Sequence, residues 1–418
     1  MLETWQTYAV RWLYRTIEQL YKPALARTLE ARPEYSQHVR SAVWDIALLQ
    51  HKESSEASLR LCQTLHLKQS IALLSRFSHL EDLTIVCHTF IGASASNIDT
   101  DRIFGMPTND DLALFTPAHL RTLSISYGAN VSDEDVPLKT CSWFLQHGQV
   151  SMVNITPSFT KTNGDFFTFD MHTRSIWSSV TILDIALVSN RSCSPDLGQF
   201  IAGLVNLDTL SIGYFDPPVR GEIFWSLAFP SPLPKLDTLK LHGMLSTDLN
   251  APALGTYFPS LRHLEYTFFA PENDHQPQLY FRLTLPIFAS GKPCPKLETL
   301  AITRRRDTLQ FTAYNSQAAS TIAFDLLTPF LNRSIFPSLK TLALSDAICQ
   351  HRQIINMPVL GSEVFKEQAQ AVGVEFRVDL DGWRWADRQR SKFKESTPSS
   401  VAFVQELTAT CRNGKLRM

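Results

Sequence analysis

The sequence lacks the features that mark several classes of protein. Its 7 cysteines include no Cys-x-x-Cys pair and are odd in number, so neither a zinc ribbon nor a disulfide framework fits. No uninterrupted apolar run reaches the roughly 18 residues that a membrane-spanning helix needs. The chain also has no large excess of charge of either sign, because 39 basic side chains balance 40 acidic ones. We therefore expect neither nucleic acid nor a membrane as a partner.

Motifs for catalysis and for cofactor binding are also missing. The chain contains no glycine-rich phosphate loop of the G-x-x-x-x-G-K-[ST] type and no dinucleotide-binding G-x-G-x-x-G. Cys87 and His88 are adjacent on a predicted strand, so their side chains point to opposite faces and cannot form a nucleophile–base pair. We expect a protein that is not an enzyme, with no catalytic residue, cofactor or metal.

The N-terminal stretch MLETWQTYAVRW has an acid at Glu3 and no apolar core of signal-peptide length. Together with the cysteine pattern, this favours a reducing compartment, the cytoplasm or the nucleus.

A six-residue pattern, apolar-x-x-apolar-x-apolar, returns along the chain at intervals of 18 to 42 residues. The best copies are LEDLTI, LRTLSI, LDTLSI, LDTLKL, LRHLEY, LETLAI and LKTLAL, which start at residues 80, 120, 207, 236, 261, 297 and 339. Weaker copies start at Cys62, Val150 and Val180. The last four positions alternate as in a strand with one buried face, and such short strands become stable only when parallel copies stack. The pattern predicts an irregular α/β solenoid, with a curved parallel sheet and with helices and loops on its convex side.

The positions of four prolines support the repeat pattern. Pro234, Pro259, Pro295 and Pro337 each lie two residues before a repeat leucine. Proline fixes φ and donates no hydrogen bond, so it suits the point where a returning segment ends and the next strand begins. A doubly wound α/β domain would also space its strands about 30 residues apart, but it would not repeat one register of Leu, Thr and Pro.

Residues from about 60 to 350 resemble the leucine-rich-repeat family. The irregular spacing and the F-P-S-L segments at 258–261 and 336–339 look like the arrays of fungal F-box proteins. The N-terminal WQTYAVRWLYRTIEQLY resembles the final helix of an F-box. This resemblance implies a substrate-recognition subunit of a cullin–RING ubiquitin ligase, in which Trp5, Trp12, Leu13 and Tyr14 could contact a Skp-type adaptor. The Leu-Pro-x-Glu helix that opens an F-box is absent, so we expect no tight adaptor binding; the alternative is an interaction scaffold without a ligase role.

The predicted organisation has three parts: a helical N-terminal segment (1–32), the solenoid (33–380), and a C-terminal cap and tail (381–418). Apolar residues from Leu2 to Leu20 recur at helical spacing and predict one amphipathic helix, which could instead cap the solenoid core. Pro23 suits a second helix through Leu29, and Pro33 prevents its extension. At the other end, residues 362–371 predict a helix, Gly373 its stop, and residues from 374 a final strand, covered by Trp383 and Trp385.

The predicted recognition surface is the concave face, which carries the side chains that alternate with the repeat leucines. In its middle lie Asp184, Lys240, His242, His263 and Glu265, which we expect to contact an unidentified partner protein. Arg304, Arg305 and Arg306 follow a repeat strand and could bind an acidic group, although such a run is more often a solvated turn. The long loops are the alternative binding surface. We expect a monomer outside its complex.

Overall fold

The computed structural model describes residues 9–11, 13–18, 20, 23–50, 69–90, 103–104, 118–127, 144–146, 148–157, 176–187, 195–214, 232–242, 258–269, 294–305, 327–345 and 362–379. The chain forms two compact units. The first comprises Met1–Val180 with Arg390–Met418, and the second comprises Thr181–Gln389. The domain boundaries expected after residues 32 and 380 stay predictions.

The first unit contains a parallel sheet whose strands follow the order of the chain. Its strands are β1 (Thr16–Ile17), β2 (Ser41–Gln50), β3 (Asp82–Phe90), β5 (Thr122–Tyr127) and β6 (Met152–Pro157). A two-residue strand, β4 (Ile103–Phe104), pairs antiparallel with the end of β2. Helix α1 (Pro23–Ala31) and the 3₁₀ helix η1 (Pro33–His38) connect β1 to β2, and residues 69–74 are helical ahead of β3.

The second unit repeats this arrangement. Its parallel strands, again in chain order, are β7 (Ile182–Leu187), β8 (Thr209–Tyr214), β9 (Thr238–His242), β10 (His263–Phe269), β11 (Thr299–Arg305), β12 (Thr341–Ser345) and β13 (Glu375–Asp379). Its connections include helix α2 (Pro195–Ala202), the 3₁₀ helix η2 (Thr328–Leu331) and helix α3 (Ser362–Ala371). Each unit therefore has the predicted α/β solenoid architecture.

The strands pair repeat for repeat, without slippage. In the second unit, Leu210, Leu239, Leu264, Leu300 and Leu342 occupy one register position on five adjacent strands. All five side chains are buried, with at most 3% of their surface exposed. A one-residue shift would turn this apolar row to solvent, so burial enforces the register. The strands predicted near 82–86, 122–126, 209–213, 238–242, 299–303 and 341–345 are confirmed.

The repeated prolines occupy a tight turn. In each of the four cases the N–H of the repeat leucine donates to the carbonyl three residues earlier, as from Leu236 to Leu233 (3.3 Å) and from Leu261 to Phe258 (3.1 Å). The proline is then the second residue of a four-residue turn, where a fixed φ is favourable and no N–H donor is required. This turn explains why proline and leucine recur in one register.

The prediction of a single N-terminal helix as far as Leu20 is wrong. Thr16 and Ile17 form β1 instead and pair with Ser41 and Ala42 of β2. Ile17 and Leu20 are buried, whereas Leu13, expected on the same apolar face, is 64% exposed. Helical spacing cannot reveal this arrangement, because pairing with a strand 25 residues away outweighs local propensity.

The first complete repeat lies earlier than expected. Val39, Ala42 and Trp44 reproduce the spacing of the apolar pattern, all three are buried, and β2 begins between them. The sequence analysis did not include this copy, which contains no leucine. The copy proposed at Cys62 lies outside the described residues.

The helix and the strand predicted near the C-terminal end of the array are confirmed. Helix α3 ends ahead of Gly373, whose φ of 73° is left-handed, and β13 follows. Phe365 and Ala369 form the buried side of α3, whereas Val364 is 59% exposed. Trp383, Trp385 and the tail lie outside the described residues.

The apolar residues of the segment 324–336 recur at helical spacing, which predicts a helix. In its described part, from Leu327 on, only η2 forms, and Pro329 lies in the first turn of η2. Leu327, Phe330 and Leu331 are buried as expected, and Phe324 lies outside the described residues.

Candidate functional site

Two rows of side chains project from the side of the second unit's sheet that is opposite to the leucine row. The threonine row begins each strand and contains Ile182, Thr209, Thr238, His263, Thr299, Thr341 and Glu375. The central row lies two residues further along and contains Asp184, Ser211, Lys240, Glu265, Ala301, Ala343 and Arg377. Since alternate residues of a strand share a face, both rows lie on the surface that the sequence analysis assigned to recognition.

Lys240 and Glu265 are paired in register on β9 and β10, with Nζ 3.8 Å from Oε2. The two side chains are partly exposed, at 36% and 28%. An ion pair in this setting contributes little to folding, about 0–1 kcal/mol. Because both side chains are partly exposed, their charges are accessible to a partner.

His263 lies beside this pair at the start of β10. Its Nε2 is 3.8 Å from Oδ2 of Asp237, which also accepts a 3.3 Å hydrogen bond from the hydroxyl of Thr238. The structure thus brings together Lys240, Glu265 and His263, three of the predicted contact residues. His242 is in register with Thr267 at the end of β9, and its side chain lies outside the description.

The expectation that Asp184 is exposed to a partner is wrong. Asp184 lies in the central row, in register with Ser211, but only 7% of its surface is exposed, and Ser211 is 5% exposed. Short side chains end close to the sheet, whereas the longer side chains of Lys240 and Glu265 extend into solvent. Position in a row therefore does not guarantee access.

The two remaining predicted groups are described only in part. Arg304 and Arg305 end β11, in register with Phe268 and Phe269, but their side chains and all of Arg306 lie outside the described residues. The same holds for Trp5 and Trp12 of the possible adaptor contact. Leu13 is exposed, whereas the ring of Tyr14 packs on that of Tyr35 with centroids 5.0 Å apart.

The sequence analysis missed a row of charges at the residue before each strand. In the second unit this ion ladder consists of Asp237, Arg262, Glu298 and Lys340. Glu298 accepts from Arg262 Nη2 and from Lys340 Nζ, both at 2.8 Å, and Arg262 Nε is 3.9 Å from Asp237 Oδ1. The signal is the second letter of LDTL, LRHL, LETL and LKTL, which alternates in sign along the chain.

Electrostatics agree with this geometry. Hydrogen bonds from Lys340 and then from Arg262 hold the pKa of Glu298 below its usual value, and Glu298 raises the pKa of Arg262. Backbone N–H groups reinforce the ladder: Glu298 and Thr299 both donate to the carbonyl of Arg262, at 2.8 and 2.9 Å. The ladder's charges are thus engaged in holding neighbouring strands together.

The described part of the chain contains no group of three or more His, Cys, Asp or Glu side chains that could hold a metal ion. No helix within those residues is long and apolar enough to cross a membrane. No protein-family model matches the chain, and no curated protein matches it in sequence.

Proposed function

We propose that this chain is a non-enzymatic protein-recognition module of the leucine-rich-repeat type. The observation that carries the proposal is the surface formed by the threonine and central rows, where polar side chains project in register from a hydrogen-bonded sheet. A surface prepared in this way loses little conformational entropy on binding, which favours specific recognition. Lys240, Glu265 and His263 are its most distinctive chemical groups.

The more specific role that we propose is that of an F-box-type substrate-recognition subunit of a cullin–RING ubiquitin ligase, acting in the cytoplasm or the nucleus. The resemblance of the N-terminal segment to the end of an F-box supports this role. The exposure of Leu13 agrees with it, because an apolar side chain at the surface is available to an adaptor. The alternative is an interaction scaffold with no ubiquitin connection, which the packing of Tyr14 against Tyr35 within the chain favours.

A site-specific photo-crosslinker at Thr238, in the middle of the proposed surface, tests the recognition role. The same crosslinker at exposed Lys366 on α3 is the matched control. In extract from the source cells, we expect a discrete crosslinked protein from position 238 and none from position 366. Equal labelling from both positions would contradict the assigned surface.

A charge exchange sharpens the test. The double variant Lys240→Glu with Glu265→Lys preserves an internal ion pair but reverses the charges presented to a partner. We expect an unchanged Tm and loss of the crosslinked protein. If a purified Skp-type adaptor, cullin and RING subunit ubiquitinate the captured protein, the ligase role is supported; capture without ubiquitination favours the scaffold.

A further inference from the structure

The amino-terminal ends of the strands in the first unit carry excess positive charge. Arg15, Arg40, Glu81 and Arg121 directly precede β1, β2, β3 and β5. Backbone hydrogen bonds link them in this order, from Arg40 N to the carbonyl of Arg15 (2.9 Å), from Glu81 N to Arg40 (2.8 Å) and from Arg121 N to Glu81 (2.8 Å). They therefore form one column, with about 5 Å between neighbours.

This column is not self-neutralised. Its counterpart in the second unit is the ion ladder, where Arg262 and Lys340 share Glu298 and Arg262 also lies close to Asp237. In the first unit Glu81 pairs with Arg40 at 3.4 Å, and it is the one acid among the four residues of the column. Two further acids lie nearby: Asp82 at the start of β3, and Glu34 of η1, which pairs with Arg32 at 3.6 Å. The column keeps a net positive charge.

Two histidines adjoin the arginine column. His79 and His119 lie in the turns two residues ahead of Glu81 and Arg121, and their ring centroids are 5.4 Å apart. Arg40 Nη1 donates to the carbonyl of His79 at 3.5 Å, so the histidine pair adjoins the arginine column. Both rings are exposed.

Crowding of like charge is evident at His38, at the end of η1. Burial makes the largest contribution to lowering the pKa of His38, and the positive charges of Arg11 and Arg40 lower it further. Stacking of Tyr14 on Tyr35 keeps the segment that carries Arg11 and Arg15 next to η1. Cations from the N-terminal segment and from the strand ends therefore meet in one region.

We propose that this cationic edge, formed by Arg11, Arg15, Arg40, His79, His119 and Arg121, binds an acidic segment of a partner protein. The inference rests on the proposed recognition function and assigns a chemical class to the partner. Glu81 shows that a carboxylate fits between these arginines. From Arg15 to Arg121 the column spans three strand spacings, about 15 Å, which matches four or five residues of extended peptide. A polyanion such as nucleic acid is less favoured as the occupant, because a chain of net charge −1 exerts no general attraction on it.

The test measures fluorescence anisotropy of a labelled hexaglutamate peptide with the full chain, and a hexaglutamine peptide is the control probe. We expect the hexaglutamate peptide to bind and the hexaglutamine peptide not to bind. Affinity should fall severalfold between 50 and 200 mM salt, because the contacts are exposed ion pairs. No binding of hexaglutamate at low salt would overturn the proposal.

Variants locate the site. Arg11→Glu with Arg121→Glu should weaken binding by about tenfold or more, since each exposed ion pair contributes about 0.2–1 kcal/mol and reversal adds repulsion. Lys366→Glu on α3 makes the same kind of change in the other unit and should have no effect. Arg40 stays unchanged because its guanidinium also donates to the carbonyls of Gln37 and Val39. If the double variant has a lowered Tm, the single variant Arg121→Gln replaces it. We expect Arg121→Gln to reduce the affinity for hexaglutamate about two- to fivefold.

Two further outcomes bear on the proposal. A 12-nucleotide single-stranded oligonucleotide could bind more tightly than hexaglutamate and lose this binding in the double variant. That result would overturn the assignment to an acidic protein segment. Crosslinking from Thr238 that persists although hexaglutamate does not bind would refute this inference and leave the proposed function standing. If hexaglutamate binds but no protein is crosslinked from Thr238, the proposed recognition surface is refuted and the cationic edge remains supported.

Discussion

Replacement of Leu239 by alanine removes a buried side chain from the middle of the second unit. Leu239 is 1% exposed and lies in register between Leu210 on β8 and Leu264 on β10, which are themselves buried. Both neighbours are fixed by pairing on their strands, so the sheet cannot collapse around the lost atoms. The cavity should persist.

The expected cost follows from comparable core leucines. Leucine-to-alanine changes at buried sites lower the free energy of unfolding by about 2–5 kcal/mol, and the upper part of that range applies where neighbours relax little. Thr238→Ala is the matched control, one residue away on the opposite side of the sheet. It removes a partly exposed side chain and one 3.3 Å hydrogen bond to Asp237, which should cost about 1 kcal/mol or less.

Urea denaturation followed by tryptophan fluorescence measures both variants against the parent chain. We expect Leu239→Ala to lower the midpoint substantially with an unchanged m-value, and Thr238→Ala to shift it by less than half as much. The two compact units could unfold separately, so the comparison uses the transition in which both variants differ from the parent. Similar midpoint shifts for the two variants would refute the assignment of Leu239 to the core side of β9.

Three further predictions concern the same unit. Glu298→Gln should reduce stability most at neutral pH and flatten the acid limb of a Tm–pH profile. The depressed pKa of Glu298 means that its contribution is present above the ordinary value of 4.5 and is lost as pH falls through the folded-state pKa; an acid limb equal to the parent's would contradict this. Gly373→Ala should cost about 1 kcal/mol in thermal denaturation, because a φ of 73° is unfavourable for alanine, and Gly373→Asn should cost less. Arg333→Lys should lower the Tm, since the guanidinium donates to the carbonyls of Val372, Pro337 and Leu339 and an ammonium cannot reproduce that fork; an unchanged Tm would show that these contacts contribute nothing.

The candidate site could be predicted only in part. The register of the leucines places Lys240 and Glu265 on one side of the sheet, and their pairing follows from two strands in register. The burial of Asp184 could not be derived in this way, since it depends on what surrounds a short side chain in three dimensions. The cationic edge likewise needs the structure, because Arg40, His79 and Arg121 are far apart in sequence and are brought together by strand stacking.

The sequence by itself determined the repeat, the strands of its leucine copies, the leucine row and the positions of the prolines, because each depends on residues within one six- to ten-residue segment. The tertiary structure alone decided that Thr16 and Ile17 form a strand, since their partners Ser41 and Ala42 lie beyond α1 and η1. It also decided which charges are engaged. Glu298 bonds to cations 36 and 42 residues away, and Glu81 pairs with Arg40, which lies 41 residues before it in the sequence. Local patterns specify the strands. The distances between strands, which no local pattern contains, determine the electrostatics and the exposed surface.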